Sequence, residues 1–413
     1  MEYKHVSAFF IAIFIFVAFG FVVAQEQDQN QDQNPSSRKI IVFKEGLSDA
    51  DEARIIAGSR GTRLGRLRAG NLSVVQLDKA GEARIAKYQG VVRVEDDIVV
   101  DALETVNGNV QKAKAPIVPA QVLPWGIDRI DADRVWPTSE TGAGVNVGVI
   151  DTGISISHPD LAANVKGGVS EVWYTSSYND DNGHGSHVAG IIGALANTIG
   201  AVGGAPSVNV YAIKALDRNG SGYLSDVING IDWAITHGMT VINLSLGTDV
   251  DVQSFHDAVI RAKSAGVIVV AAAGNSGGAV LYPAAYPEAI AVAATDISNT
   301  APYWSSRGSE VDLAAPGVNV YSTYKGTKYA TMSGTSMATP HVAASVALAL
   351  KSASDSATDV LGNCIAVYDT NCDGAWSPDE IQYKLEATAT DLGVPGQDDV
   401  YGWGLVNAYA AMQ

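Results

Sequence analysis

From Val145 onward, short apolar runs alternate with longer helical stretches, and this alternation constrains the possible fold more than any other feature. Residues 145–150, 208–213, 241–244 and 267–272 have strand length and offer apolar side chains to both faces. Residues 184–196, 224–236, 254–265 and 336–351 carry helical patterns between and beyond them. Strands that are apolar on both sides must be covered on both sides. The expected architecture is therefore α/β, a parallel sheet with helices on both faces. In such a sheet, chemistry collects beyond the carboxyl ends of the strands.

The chain has 413 residues, enough for one large domain plus a smaller one. With 47% hydrophobic and 17% charged residues it is not a disordered polyelectrolyte, and 42 glycines without a triplet period mark turns rather than a fibre. Two cysteines exclude a disulfide-stapled scaffold and a four-cysteine zinc site. A formal charge of −17 argues against a nucleic-acid partner and favours divalent cations. The charge is uneven: residues 36–94 carry twelve Lys and Arg against six Asp and Glu, net +6, whereas residues 104–413 carry net −16.

Lys4 precedes an uncharged run over residues 8–23, which as a helix reaches about 24 Å and falls short of the roughly 30 Å hydrocarbon layer. Val22-Val23-Ala24 follows, so residues 1–24 read as a signal peptide and export is expected, with an uncleaved membrane tether as the alternative. Residues 25–37 form a polar linker. Residues 38–103 form a small α+β module, with strands at 40–43, 72–77 and 91–94 and helices at 49–57 and 81–88. Residues 104–123, with Pro116 and Pro119, form a second linker, and residues 124–413 form the large domain.

Three segments place reactive side chains at the ends of this alternation. Asp151 ends the run 145–150 before Thr152-Gly153. His184 lies in Asn182-Gly183-His184-Gly185-Ser186-His187, and Ser336 in Gly334-Thr335-Ser336-Met337-Ala338-Thr339-Pro340-His341. Singly, an Asp after a strand is a turn residue and a Ser before a helix is a cap. A serine nucleophile near neutral pH needs a base and a carboxylate to orient that base. Together, in the order Asp, His, Ser, the segments resemble the subtilisin family of serine endopeptidases, from about Gln121 to Ala411. Residues 38–103 resemble that family's inhibitory propeptide.

The resemblance implies further roles. Asn275 matches the side-chain amide that binds the oxyanion, with the Ser336 N–H as second donor. Substrate would add as a strand between Gly220-Ser221-Gly222 and Ser245-Leu246-Gly247, with Ala272 and Gly274 lining a pocket for a large apolar side chain. His187 and His341 are expected to be structural. The propeptide is expected to aid folding, to inhibit, and to end by cleavage after Leu103.

Residues 369–380 fit a twelve-residue calcium loop, inserted near 364–380. Asp369, Asn371, Asp373, Ser377 and Glu380 supply side-chain oxygens, Gly374 the tight turn and Ala375 a carbonyl. Ser377, Pro378 and Glu380 equally read as the capped start of a helix. The resemblance implies another calcium site from Gln121, Asp160 and Asn197 with the carbonyls of Leu195, Ile199 and Ala201. Cys364 and Cys372 are close enough in sequence to pair, and export favours a disulfide. The expected protein is a monomeric, secreted, calcium-dependent serine endopeptidase, acting on proteins and peptides through an acyl-enzyme at Ser336 and made as an autoprocessed zymogen. An inactive, calcium-stabilised binding scaffold is the alternative. The presence of Asp151, His184, Asn275 and Ser336 opposes it.

Overall fold

In the computed structural model, which describes residues 37–103, 119–353, 358 and 364–413, the amino-terminal module is an antiparallel sheet. Its elements are β1 (Ser37–Phe43), α1 (Asp49–Gly58), β2 (Thr62–Arg66), β3 (Leu72–Leu77), α2 (Lys79–Ile85) and β4 (Val91–Asp96), in the strand order β2-β3-β1-β4. Successive side chains of β1 point to opposite faces. Ile41 and Phe43 join Ile56, Val75, Leu77 and Ile85 in the module's own core, whereas Ile40 and Val42 cluster with residues of the large domain. The sequence gives little sign of β2, because Thr62-Arg63-Leu64-Gly65-Arg66 has one large apolar residue and a register shift before Gly65. Pairing to β3 at the sheet edge holds it, not burial. The expected helix at 81–88 begins earlier, at Lys79, because the Asp78 side chain accepts the Gly81 N–H.

The chain continues through β5 (Val99–Ala102) into the large domain, whose first helix is α3 (Trp125–Arg129). Then come β6 (Asn146–Asp151), β7 (Val165–Ser170), α4 (His184–Gly193), β8 (Asn209–Lys214), β9 (Ser221–Tyr223), α5 (Leu224–Thr236), β10 (Val241–Leu244), β11 (Leu246–Gly247), α6 (Gln253–Ser264) and β12 (Ile268–Ala272). β13 (Ala289–Thr295), β14 (Leu313–Pro316), β15 (Val320–Tyr324), β16 (Lys328–Met332), α7 (Thr335–Ala349) and α8 (Pro378–Ala387) complete it. Seven strands form the expected parallel sheet, in the order β14-β13-β12-β10-β6-β8-β7. From β6 the sheet extends on one side through β8 to the edge strand β7, and on the other through β10, β12, β13 and β14. The switch point therefore lies between β6 and β10, the crevice where open α/β sheets bind ligands.

Both faces are covered. Val147, Val149, Val210, Val270 and Val292 pack with Ile191, Ala338, Val342 and Val346 of α4 and α7. Ile150, Ile213, Ile242, Val269 and Ala291 pack with Ile228, Ile231, Phe255 and Val259 of α5 and α6. Every residue of α4 and α7 is buried, so the two helices that carry His184 and Ser336 are fixed along their whole length.

The expected signal peptide and the first linker up to residue 36 lie outside the described residues, as does most of the second linker. Among the described residues no helix is long and apolar enough to cross a membrane. Cys364 and Cys372 form a disulfide ahead of α8, whose Ile381 and Leu385 enter the core.

Candidate active site

β6 delivers Asp151, fully buried, to the carboxyl edge of the sheet. The next residue turns back on it, with Thr152 N donating to Asp151 Oδ1 at 2.7 Å. His184 opens α4, and its Nδ1 lies 2.9 Å from both carboxylate oxygens of Asp151. That contact favours the tautomer protonated at Nδ1. The preceding Gly183 has φ of 126°, and a Cβ there would lie 2.3 Å from the Tyr324 ring. Only glycine fits the entry to α4.

Ser336 is the second residue of α7. Its Oγ lies 3.1 Å from Ser245 O and 2.9 Å from Leu103 O. The same Leu103 oxygen accepts from Asn275 Nδ2 at 2.9 Å. Asn275 Oδ1 accepts from both the N–H and the Oγ of Thr335, each at 2.9 Å, which aims the amide nitrogen at the cleft. Ser336 N sits in the first turn of α7, where N–H groups have no intrahelical partner, and so can supply a second donor. A Cβ on Gly334 would lie 3.1 Å from Asn275 Nδ2 and 3.3 Å from Leu103 O, crowding the contact between them.

β5 fills the cleft. It pairs antiparallel with β9 on one side and β11 on the other, with Val99 opposite Tyr223, Val100 opposite Gly222 and Asp101 opposite Ser221. Ala102 opposes Leu246, Ala102 N donates to Gly220 O at 2.7 Å, and Leu103 N donates to Ser245 O at 3.3 Å. Thus the two expected edges, Gly220-Ser221-Gly222 and Ser245-Leu246-Gly247, flank one strand that ends on Ser336. Ala272 ends β12, and Gly274 and Asn275 follow it beside the cleft.

Sequence reasoning missed the residues that hold this arrangement. Asp180 is buried; its Oδ1 accepts from Thr152 Oγ1 and from Asn182 N and Gly183 N, and its Oδ2 from Ser186 N and Ser186 Oγ, at 2.5–3.0 Å. One carboxylate therefore ties the turn after Asp151 to the turn before His184. Burial pushes its pKa up, against the pull of those donors. Lys214, fully buried, donates to Thr152 O, Leu216 O and Asp181 Oδ1 at 2.7–2.9 Å. Nothing marks these side chains in sequence as more than a loop acid and a strand-end lysine. His187 and His341 match the expected structural role. Burial lowers their pKa values to about 3 and about 4, and both bond backbone carbonyls.

The expected metal ligands fall in two places. Ala120 and Val122 bridge to Ile199 and Ala201. There Gln121 Nε2 lies 2.8 Å from Leu195 O, 3.4 Å from Asn197 Oδ1 and 3.5 Å from Ile199 O. Asp160 accepts from Asn197 Nδ2, Ala201 N and Tyr329 Oη. In the loop 369–380, Asp369, Asn371 and Asp373 accept backbone N–H groups of the loop itself, and Ser377 and Glu380 cap α8 reciprocally. Among the described residues no three His, Cys, Asp or Glu side chains converge as a metal site.

The amino-terminal module meets the large domain at two helix starts. Asp97 accepts from Ser225 N at 2.9 Å and Ser225 Oγ at 3.0 Å in the first turn of α5, and Glu95 accepts from Ser254 Oγ in the first turn of α6. Negative side chains there complement the helix dipoles. Arg68 pairs with Glu171 at 2.6 Å, and Arg93 with Asp257.

Residues 142–404 match the subtilase family. Subtilisin Savinase of Lederbergia lenta is 47% identical over 293 residues, covering 71% of this chain and 99% of that protein. Subtilisin E of Bacillus subtilis is 39% identical over 383 residues, covering 91% of this chain and 90% of its own. The minor extracellular protease Epr of the same species is 44% identical over 299 residues, covering 70% of this chain and 43% of its own. The family match and these relatives show that the chain belongs to the subtilase family and is a subtilisin-like serine endopeptidase.

Proposed function

We propose that this endopeptidase is exported as a zymogen that cleaves its own chain after Leu103, with residues 38–103 acting as the propeptide. One observation carries the reading: the Leu103 carbonyl oxygen accepts from Asn275 and lies 2.9 Å from Ser336 Oγ at the end of a strand held on both sides. Ser336 Oγ attacks the Leu103 carbonyl carbon as its proton passes to His184 Nε2, and Asp151 stabilises the imidazolium. Asn275 and the Ser336 N–H hold the oxyanion. Collapse expels the Glu104 amine, protonated by His184, and leaves an acyl-enzyme that water hydrolyses. Other proteins would enter the same edges as an added strand. Leu103 as the residue at the scissile bond supports a preference for large apolar side chains, received beside Ala272 and Gly274. The relative named as an extracellular protease supports export, as does the apolar run at 8–23.

Calcium belongs to this reading as a stabiliser of the fold. Around Gln121 the set is oxygen from two carbonyls and Asn197, with the Asp160 carboxylate beside it, and turning the Gln121 amide over adds a further oxygen. That chemistry fits calcium. Leu195, Asn197, Ile199 and Ala201 would hold it with Gln121 and Asp160. The loop Asp369–Glu380 fits less directly, since Ser377 and Glu380 would have to leave the cap of α8 to join Asp369, Asn371, Asp373 and the Ala375 carbonyl.

The test is to purify the full chain, add calcium, and determine the new amino terminus while following casein hydrolysis. A terminus at Glu104 should arise together with activity. Casein hydrolysis by a chain that keeps residues 38–103 attached would contradict the reading.

A further inference from the structure

Counting back from the carbonyl at Ser336, Leu103 is the first residue and Val99 the fifth. Val99 lies 53% exposed against a cavity of about 230 Å³. Val172, Trp173, Asp217, Tyr223 and Asp226 line it, and a valine side chain fills only a small part. Trp173 is 88% exposed, an unusual position for so large an apolar ring at the mouth of a cleft.

The wall has two carboxylates and two aromatic faces, and a guanidinium already sits on one of them. Arg38 lies 3.7 Å from the centroid of the Tyr223 ring, within 2.8 Å of Asp97 and 3.3 Å of Ser225, and its charge acts on Asp226. Both Arg38 and Asp97 belong to residues 38–103 and leave with them. The large domain's own Arg218, beside Asp217, is turned onto Tyr174 instead. Departure of the module therefore uncovers an aromatic face beside Asp226 that had held a cation.

We propose that this cavity is a subsite of the processed enzyme for an arginine or lysine at the fifth residue before the scissile bond. The cation rests on Tyr223 beside Asp226 and the aliphatic stem lies along Trp173. The proposal rests on the reading above, that β5 lies in the cleft as a substrate does. In the zymogen, β1 supplies the cation through Arg38; in a substrate the strand in the cleft supplies it directly, because the Val99 position faces Tyr223.

The test uses the processed enzyme and acetylated peptides X-Val-Asp-Ala-Leu with a chromogenic leaving group, X being Val, Arg, Lys or Glu. A partly exposed cation–ring contact with one ion pair predicts kcat/KM about three- to tenfold higher for Arg and Lys than for Val, carried by KM. Glu should fall below Val, and 1 M salt should shrink the difference. In Asp226→Asn and Trp173→Ala the Arg-to-Val ratio should fall toward one. This ratio is internal to each enzyme sample and so independent of how much variant folds. Equal kcat/KM for Arg and Val in an enzyme that cleaves both would overturn the subsite and leave the endopeptidase reading standing. Failure to cleave any of the peptides would overturn the reading of the cleft, and the subsite with it.

Discussion

Asn275 is oriented by Thr335. Thr335 gives its N–H and its hydroxyl to Asn275 Oδ1, so the amide nitrogen has one direction to point, toward the Leu103 oxygen. The charge it meets exists only in the transition state, so Asn275→Ala should lower kcat and leave KM near its starting value. The equivalent amide loss in subtilisin itself costs about 10²–10³ in turnover, and that known magnitude sets the scale. Steady-state kinetics check it, and a raised KM with unchanged kcat would remove the role. Asp180 acts one step further back. Asp180→Asn puts an NH₂ group against either the donors at Oδ1 or those at Oδ2, so some buried partners must go unsatisfied. We expect a loss of about 1–3 kcal/mol in stability and a lower kcat at temperatures where the variant is still folded. Thermal unfolding and kinetics read the two effects separately, and an unchanged kcat would make Asp180 purely structural. Asp151, His184 and Ser336 stand out in sequence because glycines and small residues crowd around them. Asp180 and Thr335 do not, because their role lies in partners that only the fold brings near.

The same contrast holds for elements. β6, β10 and β12 are apolar on both faces and could be read directly. β7 and β13 cannot be: Val165–Ser170 contains two glycines and a lysine, and Ala289–Thr295 is so rich in alanine that no period separates strand from helix. The pairing of β5 between β9 and β11 joins distant parts of the chain, and only the family resemblance pointed to it. Where the module meets α5, burial and the nearby Asp97 raise the Asp226 pKa from 3.8 to about 7. The complex thus holds a proton that the separated parts release, because separation removes Asp97 and exposes the carboxyl. Affinity of the module should fall as pH rises from the ordinary carboxylate range to about 7, then level off. Inhibition of the processed enzyme by added residues 37–103 across pH measures this, and Asp226→Asn should flatten the profile. A second element-scale test concerns the bridges at Ala120 and Val122 to the loop 195–201. Calcium at one hundred times its Kd adds about 2.7 kcal/mol to a fold that alone binds it. The rise in Tm on adding calcium, measured in an inactive Ser336→Ala background, should be smaller in Asp160→Asn. A full rise in that variant would place the effect elsewhere, the loop Asp369–Glu380 being next to examine.

At the scale of the whole molecule, charge joins the two parts less simply than the sequence suggests. Residues 36–94 carry net +6, but the next nine residues add four acids and no bases, leaving +2 over residues 36–103. Two of those acids meet helix amino ends, and Arg68 and Arg93 meet acids of the large domain. Attraction is thus local, aligned with the surfaces that bury Ile40 and Val42, and the strand entering the cleft is directed onto Ser336. We propose that this same serine cuts the chain that occupies it. The direct measurement is intact mass and amino-terminal sequence of the full chain and of Ser336→Ala, expressed side by side in a host without extracellular proteases. Cleavage between Leu103 and Glu104 in the first and an uncut Leu103–Glu104 bond in the second is the predicted result. Cleavage at that bond in Ser336→Ala would contradict it.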